Sequence, residues 1–199
     1  MKSLNYLKKL TILFLCSFLI LLGFQGIEAE ASTPSDEIQI TTKDGRVLSF
    51  PSEQYYQNYL KTERASLKEG NVYTPQVLSF QKKKTLVSSE RKNMLFVGYS
   101  KLTPDWSKAA YYDINKGSKV NIGGSYKYKG VSVNIGFSKS YGVTTRIYAN
   151  KNKWSKLAGY ADITFKRYRV DVYESGQKLY SYYETTKTTH NTYIKVKYK

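Results

Sequence analysis

Residues Lys119 to Lys139 constrain the fold of this chain more than any other stretch, because Gly130 divides them into two arms that align in a single register. On the first arm Val120, Ile122, Gly124, Tyr126 and Tyr128 fall on every second position, and on the return arm Val131, Val133, Ile135 and Phe137 do the same. A period of two marks a half-buried β-strand. With Lys129-Gly130 as a two-residue turn, Tyr128 faces Val131, Tyr126 faces Val133 and Gly124 faces Ile135. Lys127, Ser125 and Asn121 then meet Ser132, Asn134 and Ser138 on the other side. A slip of one residue would turn the lysine-bearing face inward, so the pattern specifies the pairing.

Strand signals recur on both sides of this hairpin. Met94 to Ser100 is an apolar strand candidate, followed by a loop or short helix from Thr103 to Asp113. Val143 to Ala149 supplies another strand, and Asn150 to Lys156 a basic loop carrying Trp154. Gly159 to Glu174 is the longest candidate, with Tyr168, Val170 and Val172 on one face and Arg167, Arg169 and Asp171 on the other. Glu174-Ser175-Gly176-Gln177 turns it into Lys178 to Thr186, a second turn holds Thr188 to Asn191, and Asn191 to Lys199 closes the chain. In that last strand Ile194, Val196 and Tyr198 alternate with Lys195, Lys197 and Lys199, so one side is dry and the other wet. Short antiparallel strands without intervening helices predict a mainly β fold, an antiparallel β-sandwich or barrel, over residues 93–199.

Upstream the organisation differs. Lys2, Lys8 and Lys9, the apolar run Leu10 to Leu22 and the triplet Ala29-Glu30-Ala31 have the layout of a secretory signal peptide, residues 1–31. The run falls short of the roughly 20 apolar residues that span a bilayer as a helix. Residues 32–70 read as a small unit: a flexible start containing Pro34, a hairpin about Asp44-Gly45, and a helix opening at Pro51-Ser52-Glu53 with Ser52 as N-cap. Tyr56, Tyr59, Leu60, Glu63 and Leu67 give that helix a thin apolar stripe ending near Gly70. Residues 71–92, with Pro75 and Lys82-Lys83-Lys84, read as a linker with a short strand at Val77 to Phe80.

Charge is divided unequally. Ser32 to Phe80 holds 5 Lys/Arg against 6 Asp/Glu, whereas Gln81 to Lys199 holds 24 against 7, so an excess of 24 minus 7, or +17, sits in the second part. Such a field attracts polyanions and anionic surfaces. It also fits lysines that keep a sheet soluble and block edge pairing.

The supply of chemistry is poor. The only cysteine, Cys16, lies in the apolar leader, so the remaining chain has no disulfide framework, thiol nucleophile or cysteine-held metal. His190 is the only histidine, and no spacing brings Glu184, Asp162 or Asp171 to it. Gly123-Gly124-Ser125-Tyr126-Lys127 lacks the closing glycine of a nucleophile elbow. A zinc site asks for four ligands from a set that is nearly empty here. No cofactor and no catalytic residue is expected, and the reading leans away from an enzyme.

What stands out is tyrosine interleaved with cations, at Tyr126 to Lys129, Phe165 to Arg169 and Tyr193 to Lys199. An amphipathic ring beside Lys or Arg suits a sugar, a base or a lipid headgroup. Tyrosines packed inward with lysines in water account for the same pattern. The candidate binding surface is Lys127, Lys129, Lys166, Arg167, Arg169, Lys195 and Lys197, with Lys153 and Trp154 in a flanking loop. Leu179-Tyr180-Ser181-Tyr182-Tyr183 followed by Lys187-Thr188-Thr189-His190 resembles the Tyr-Ser-x-Tyr and His elements of lactococcin-type secreted bacteriocins. The likeness is confined to residues 179–190, and the glycine-rich Trp segment of that family has no counterpart upstream. It implies an antagonistic, toxin-like role. The expectation is therefore a secreted protein of a Gram-positive-type bacterium, extracellular or surface-associated, that binds an anionic cell-wall polymer or an anionic lipid surface. The alternatives are an extracellular nucleic-acid-binding protein or nuclease, and a structural matrix protein assembled through its tyrosines.

Overall fold

In the computed structural model three long strands carry everything else. β3 (Phe80–Tyr99), β8 (Ser155–Glu174) and β9 (Gln177–Tyr198) run for 20, 20 and 22 residues, several times the ordinary strand of five or six. The structure describes residues 37–68 and 80–199. The expected signal peptide, the start of the 32–70 unit and most of the expected linker before Phe80 lie outside them. Two short strands, β1 (Ile38–Thr41) and β2 (Val47–Phe50), extend the sheet, giving the antiparallel order β1-β2-β9-β8-β3.

Two smaller ladders accompany this sheet. β4 (Tyr111–Ile114) pairs with β7 (Thr145–Tyr148), and β5 (Lys119–Tyr128) pairs with β6 (Val131–Ser140). The β5–β6 register is the predicted one: Tyr128 opposite Val131, Tyr126 opposite Val133, Gly124 opposite Ile135. Its turn has φ of 48° at Lys129 and 82° at Gly130, and the β8–β9 turn repeats this with 49° at Ser175 and 81° at Gly176. Positive φ at both central positions matches the right-handed twist of paired strands. The fold is mainly β and antiparallel as expected, with no sheet closed into a barrel.

Alternation along β8 decides what covers it. Leu157, Ala161, Ile163 and Phe165 point to one core, shared with Val120, Ile122, Tyr128, Val131, Val133 and Ile135 of the β5–β6 hairpin. Farther along, Val170 and Val172 point to a second core with Leu48, Phe50, Tyr180 and Tyr182, against which Tyr56 and Tyr59 of α1 (Glu53–Lys68) pack. The buried positions are odd-numbered in the first stretch and even-numbered in the second, so the two covers lie on opposite faces of the sheet. Phe50 touches both helix tyrosines, with ring centroids 5.3 and 5.1 Å away.

Two expectations are corrected, for residues 80–92 and for residues 188–191, and two left open are decided. The hairpin and helix of the 32–70 unit dock on the main sheet, since β2 pairs with β9 and α1 covers the sheet. Residues 80–92 of the expected linker are strand, because polar side chains suit an edge strand whose outer side meets water. Of the two forms left open for Thr103 to Asp113, loop or short helix, the chain takes the loop as far as Ala110 and then enters β4. The expected turn at Thr188 to Asn191 is absent: β9 passes through it, and His190 is the extra residue of a bulge between the Asp162–Asn191 and Ile163–Thr189 pairs.

Glycines let the hairpin settle on the sheet. A Cβ on Gly124 would stand 1.9 Å from the Val97 carbonyl oxygen, and one on Gly98 would stand 2.5 Å from that of Gly123. Gly123 itself has open space around it. Gly124→Ala therefore forces the hairpin off its seat and is expected to lower stability by about 1–3 kcal/mol, the usual cost of overpacking. Gly123→Ala next to it should be neutral. Urea unfolding of the two variants checks this, and equal stabilities would refute the seating.

Candidate functional site

Pairing in the long sheet assembles a surface on the face turned away from the β5–β6 hairpin. β8 and β9 set Lys156 opposite Lys197, Ala158 opposite Lys195 and Tyr160 opposite Tyr193, while β3 brings Phe96 to Tyr160 and Tyr99 to Ala158. Directly opposed residues share a face. The loop after β3 adds Trp106, whose ring meets Tyr99 at 5.6 Å, and Phe96 in turn meets Tyr99 at 5.1 Å and Tyr160 at 5.8 Å. These edge-on contacts join four rings into one aromatic platform.

Lysines lie over this platform. Lys197 Nζ is 3.6 Å from the centroid of Phe96, Lys156 Nζ is 5.5 Å from Trp106, and Lys195 Nζ is 5.6 Å from Tyr193. Each such contact contributes about 0.5–1 kcal/mol where water reaches it. Lys156 also donates to the Pro104 carbonyl. None of the three forms an ion pair with a described carboxylate, so their charge is held in place by rings and left uncompensated.

The loop between β7 and β8 enlarges the same end of the sheet, since Ser155 pairs with Tyr198 directly beside Lys156 and Lys197. Trp154 is 51% exposed, with Lys108 Nζ 5.6 Å from its ring, and Lys153 Nζ lies 5.8 Å from the ring of Tyr198. The Asn150 backbone N–H donates to the Tyr198 hydroxyl at 3.0 Å and that of Lys199 to the Trp154 carbonyl at 3.0 Å. The loop is thus tied to the strand end that carries Lys197.

Of the residues singled out from sequence, Lys195 and Lys197 share the platform's face, and Lys153 and Trp154 reach the same end of the sheet, Lys153 against the ring of Tyr198, which alternation turns to the opposite face. The others lie elsewhere. Lys127 lies on the outer face of the hairpin and Lys129 at its tip. Lys166 shares the platform's face but stands ten residues along β8 from Lys156, about 33 Å at strand rise. Arg167 is spent on the fold: its guanidinium pairs with Glu37 at 3.0 Å and donates to the Lys129 carbonyl at 2.7 Å, with 12% of the side chain exposed. Arg169 pairs with Asp171 at 3.2 Å. The seven strand cations thus form no single lattice, because alternation and the hairpin divide them between surfaces.

Sequence reasoning missed Phe96, Tyr99, Trp106, Lys156, Tyr160 and Tyr193. Lys156 was legible as the far end of a basic loop. The rings were not, because their neighbours come from strands remote in sequence.

Asp162 braces this surface from inside the sheet. Its carboxylate accepts the Met94 backbone N–H at 2.8 Å, the Asn191 side-chain amide at 3.1 Å and the Tyr193 hydroxyl at 2.8 Å. Met94, with φ of 52°, sits in a bulge of β3 and Asn191 beside the bulge of β9, so one carboxylate holds both irregularities. The Met94 N–H first, then Asn191 and Tyr193, hold its pKa below the ordinary value of 3.8. His190 bonds instead to the Thr164 hydroxyl, 2.8 Å away. Among the described residues no three His, Cys, Asp or Glu side chains converge as a metal site would require.

Compared with protein-family models, with curated proteins and with solved structures, the chain matches none. The segment with the bacteriocin-like pattern, residues 179–190, lies within β9, where Tyr180 and Tyr182 are core residues beneath α1.

A carboxyl whose folded-state pKa is depressed stabilises the fold above its unfolded value, and that contribution is lost as pH falls through the folded value. Asp162→Asn should therefore melt below the native protein at neutral pH, and the gap should close well below the ordinary carboxylate range. Thermal melts across that interval are the measurement. A gap independent of pH would show that the charge plays no part.

Proposed function

We propose that this chain is a secreted, cationic binding protein that acts at an anionic bacterial envelope, on a wall polymer or on the membrane surface. One observation carries the reading. Lys156, Lys195 and Lys197 stand on one face at one end of the sheet among Phe96, Tyr99, Trp106 and Tyr193, with the Lys153–Trp154 loop at the same end, without ion pairs to described acids.

The physical argument has two parts. Ammonium groups attract phosphate as point charges, and aromatic rings with a polar edge favour the boundary between water and an apolar or sugar surface. A net charge of +17 over the whole chain brings such a surface in from a distance and makes the encounter salt-dependent. The platform then supplies the local contact that charge alone lacks.

A lysine near an anionic surface contributes about 1 kcal/mol. Lys156→Glu, Lys195→Glu and Lys197→Glu together should therefore reduce retention on isolated envelopes at low salt by about a hundredfold or more. Lys127→Glu with Lys166→Glu, two lysines away from the platform, should reduce it far less. Retention measured by sedimentation over a salt series decides between them. Equal loss in both variants would leave net charge, and not this surface, as the cause. Efficient competition by single-stranded nucleic acid would move the partner class to polynucleotides, for which stacking rings are equally suited.

A further inference from the structure

The β5–β6 hairpin departs from the rest of the surface. Its outer face carries Asn121, Ser125, Ser132, Asn134 and Ser138, all exposed, and no charged residue occurs from Val120 to Tyr126 or from Val131 to Ser138. In a chain with 32 Lys and Arg, a solvent-facing strip of neutral small polar residues is out of character. Lysines return only at the two ends of the hairpin, Lys127 and Lys129 near the turn, Lys119 and Lys139 at the base. The opposite face buries Val120, Ile122, Val131, Val133 and Ile135, and its one charged residue is Lys139 at the base, opposite Val120.

Its dimensions suit a bilayer. Each strand has ten residues, about 33 Å at strand rise, and a tilt of about 40° reduces that to the 25 Å apolar band of a transmembrane β-barrel. Such barrels alternate apolar and polar residues along each strand and carry aromatic rings at both interfaces. Here Tyr126 and Tyr128 lie toward the turn and Phe137 toward the base.

The attachment of the hairpin to the sheet is of a kind that can be released. β5 and β6 form a ladder of their own, and among the described residues no strand is paired to either outer edge. Besides apolar packing and the stacking of Tyr126 and Tyr128 on Phe165, the side-chain bonds that hold it include Ser88 to the Tyr128 hydroxyl at 2.8 Å, Arg167 to the Lys129 carbonyl at 2.7 Å, and Lys187 to the Asn134 carbonyl. Burial pushes the Lys187 amine below the ordinary lysine value. On the same face of the sheet the hydroxyls of Ser49 and Thr185 are buried with no hydrogen-bond partner, which costs stability in the docked state. Undocking frees the Lys187 amine from the Asn134 carbonyl and returns it to water.

From these observations we infer that residues 119–140 are a membrane-inserting hairpin, whose apolar face leaves the sheet for lipid while its polar face lines an aqueous channel. Open strand edges are not tolerated in hydrocarbon, so the outer edges of β5 and β6 pair with the same hairpin from further copies of this chain until a barrel closes. The inference rests on the membrane arm of the proposed function and adds permeabilisation to binding.

The test uses the purified protein with dye-loaded vesicles of phosphatidylglycerol and phosphatidylcholine, and planar bilayers of the same lipids. Binding is followed by sedimentation and permeabilisation by dye release. The decisive variants are Ser125→Asp and Asn134→Asp, exposed positions where the substitution leaves the core untouched. In a channel lined by the polar face, both should retain vesicle binding and shift the anion-to-cation permeability ratio severalfold toward cations. Tight binding without dye release or conductance would overturn the insertion and leave the envelope reading standing, as would conductance whose selectivity ignores both aspartates. Failure to bind these vesicles at low salt would overturn the insertion and confine the proposed function to wall polymers.

Discussion

The fold depends on a single long strand changing which of its faces is dry. Between Phe165 and Val170 the buried side of β8 passes from odd to even positions, and a strand has no means of hiding both faces itself. One half must be covered from one side and the other half from the other. The hairpin and the helix are those two covers, and the cations at Lys166, Arg167 and Arg169 occupy the crossing, where neither face is fully dry.

This arrangement also sorts the charges. Where a cover passes close, its neighbouring cations are drawn into the structure, as with Arg167 between Glu37 and the hairpin turn, or Lys84 and Arg46 converging on the buried Glu184. Removing the carboxylate from such a group leaves uncompensated charge in a poorly hydrated place. Where no cover passes, at the end carrying Lys156 and Lys197, lysines rest against rings instead of acids. A salt bridge neutralises a charge, whereas a ring orients it and leaves it unneutralised. That difference separates the cations that build the molecule from those available to a partner.

The two covers are not equivalent. α1 is joined to its core through clustered aromatic contacts, with Phe50, Tyr59 and Tyr182 within 5.6 Å of one another, and Thr62 meets the Tyr180 hydroxyl at 2.6 Å. The hairpin relies on glycine clearance, on aliphatic packing, on Tyr126 and Tyr128 stacked against Phe165 at 5.0 and 5.3 Å, and on a few bonds to its far end. Its neutral outer strip has no role in keeping a cationic protein soluble, and its dry face needs a replacement partner only if it leaves. A two-sided element of about bilayer length, with lysines only toward its ends, is suited to exchanging one apolar surface for another.

Much was legible from the residues alone because it depends on neighbours along the chain. Alternation about Lys129-Gly130 specified the β5–β6 register, the Ser175-Gly176 turn ended β8, and Ser52-Glu53 with Tyr56 and Tyr59 marked the helix and its inward stripe. These are local effects of side-chain period and backbone φ, so sequence spacing reports them. Tertiary structure alone decided that Phe96 meets Tyr160, that Lys197 rests on Phe96, and that Arg167 is consumed by Glu37 and the Lys129 carbonyl. It also carried β9 straight through His190, where Asp162 stabilises irregular backbone on both sides. Those outcomes follow from which remote strands pair and which face each cover takes, and a period of two is the same whichever side becomes dry.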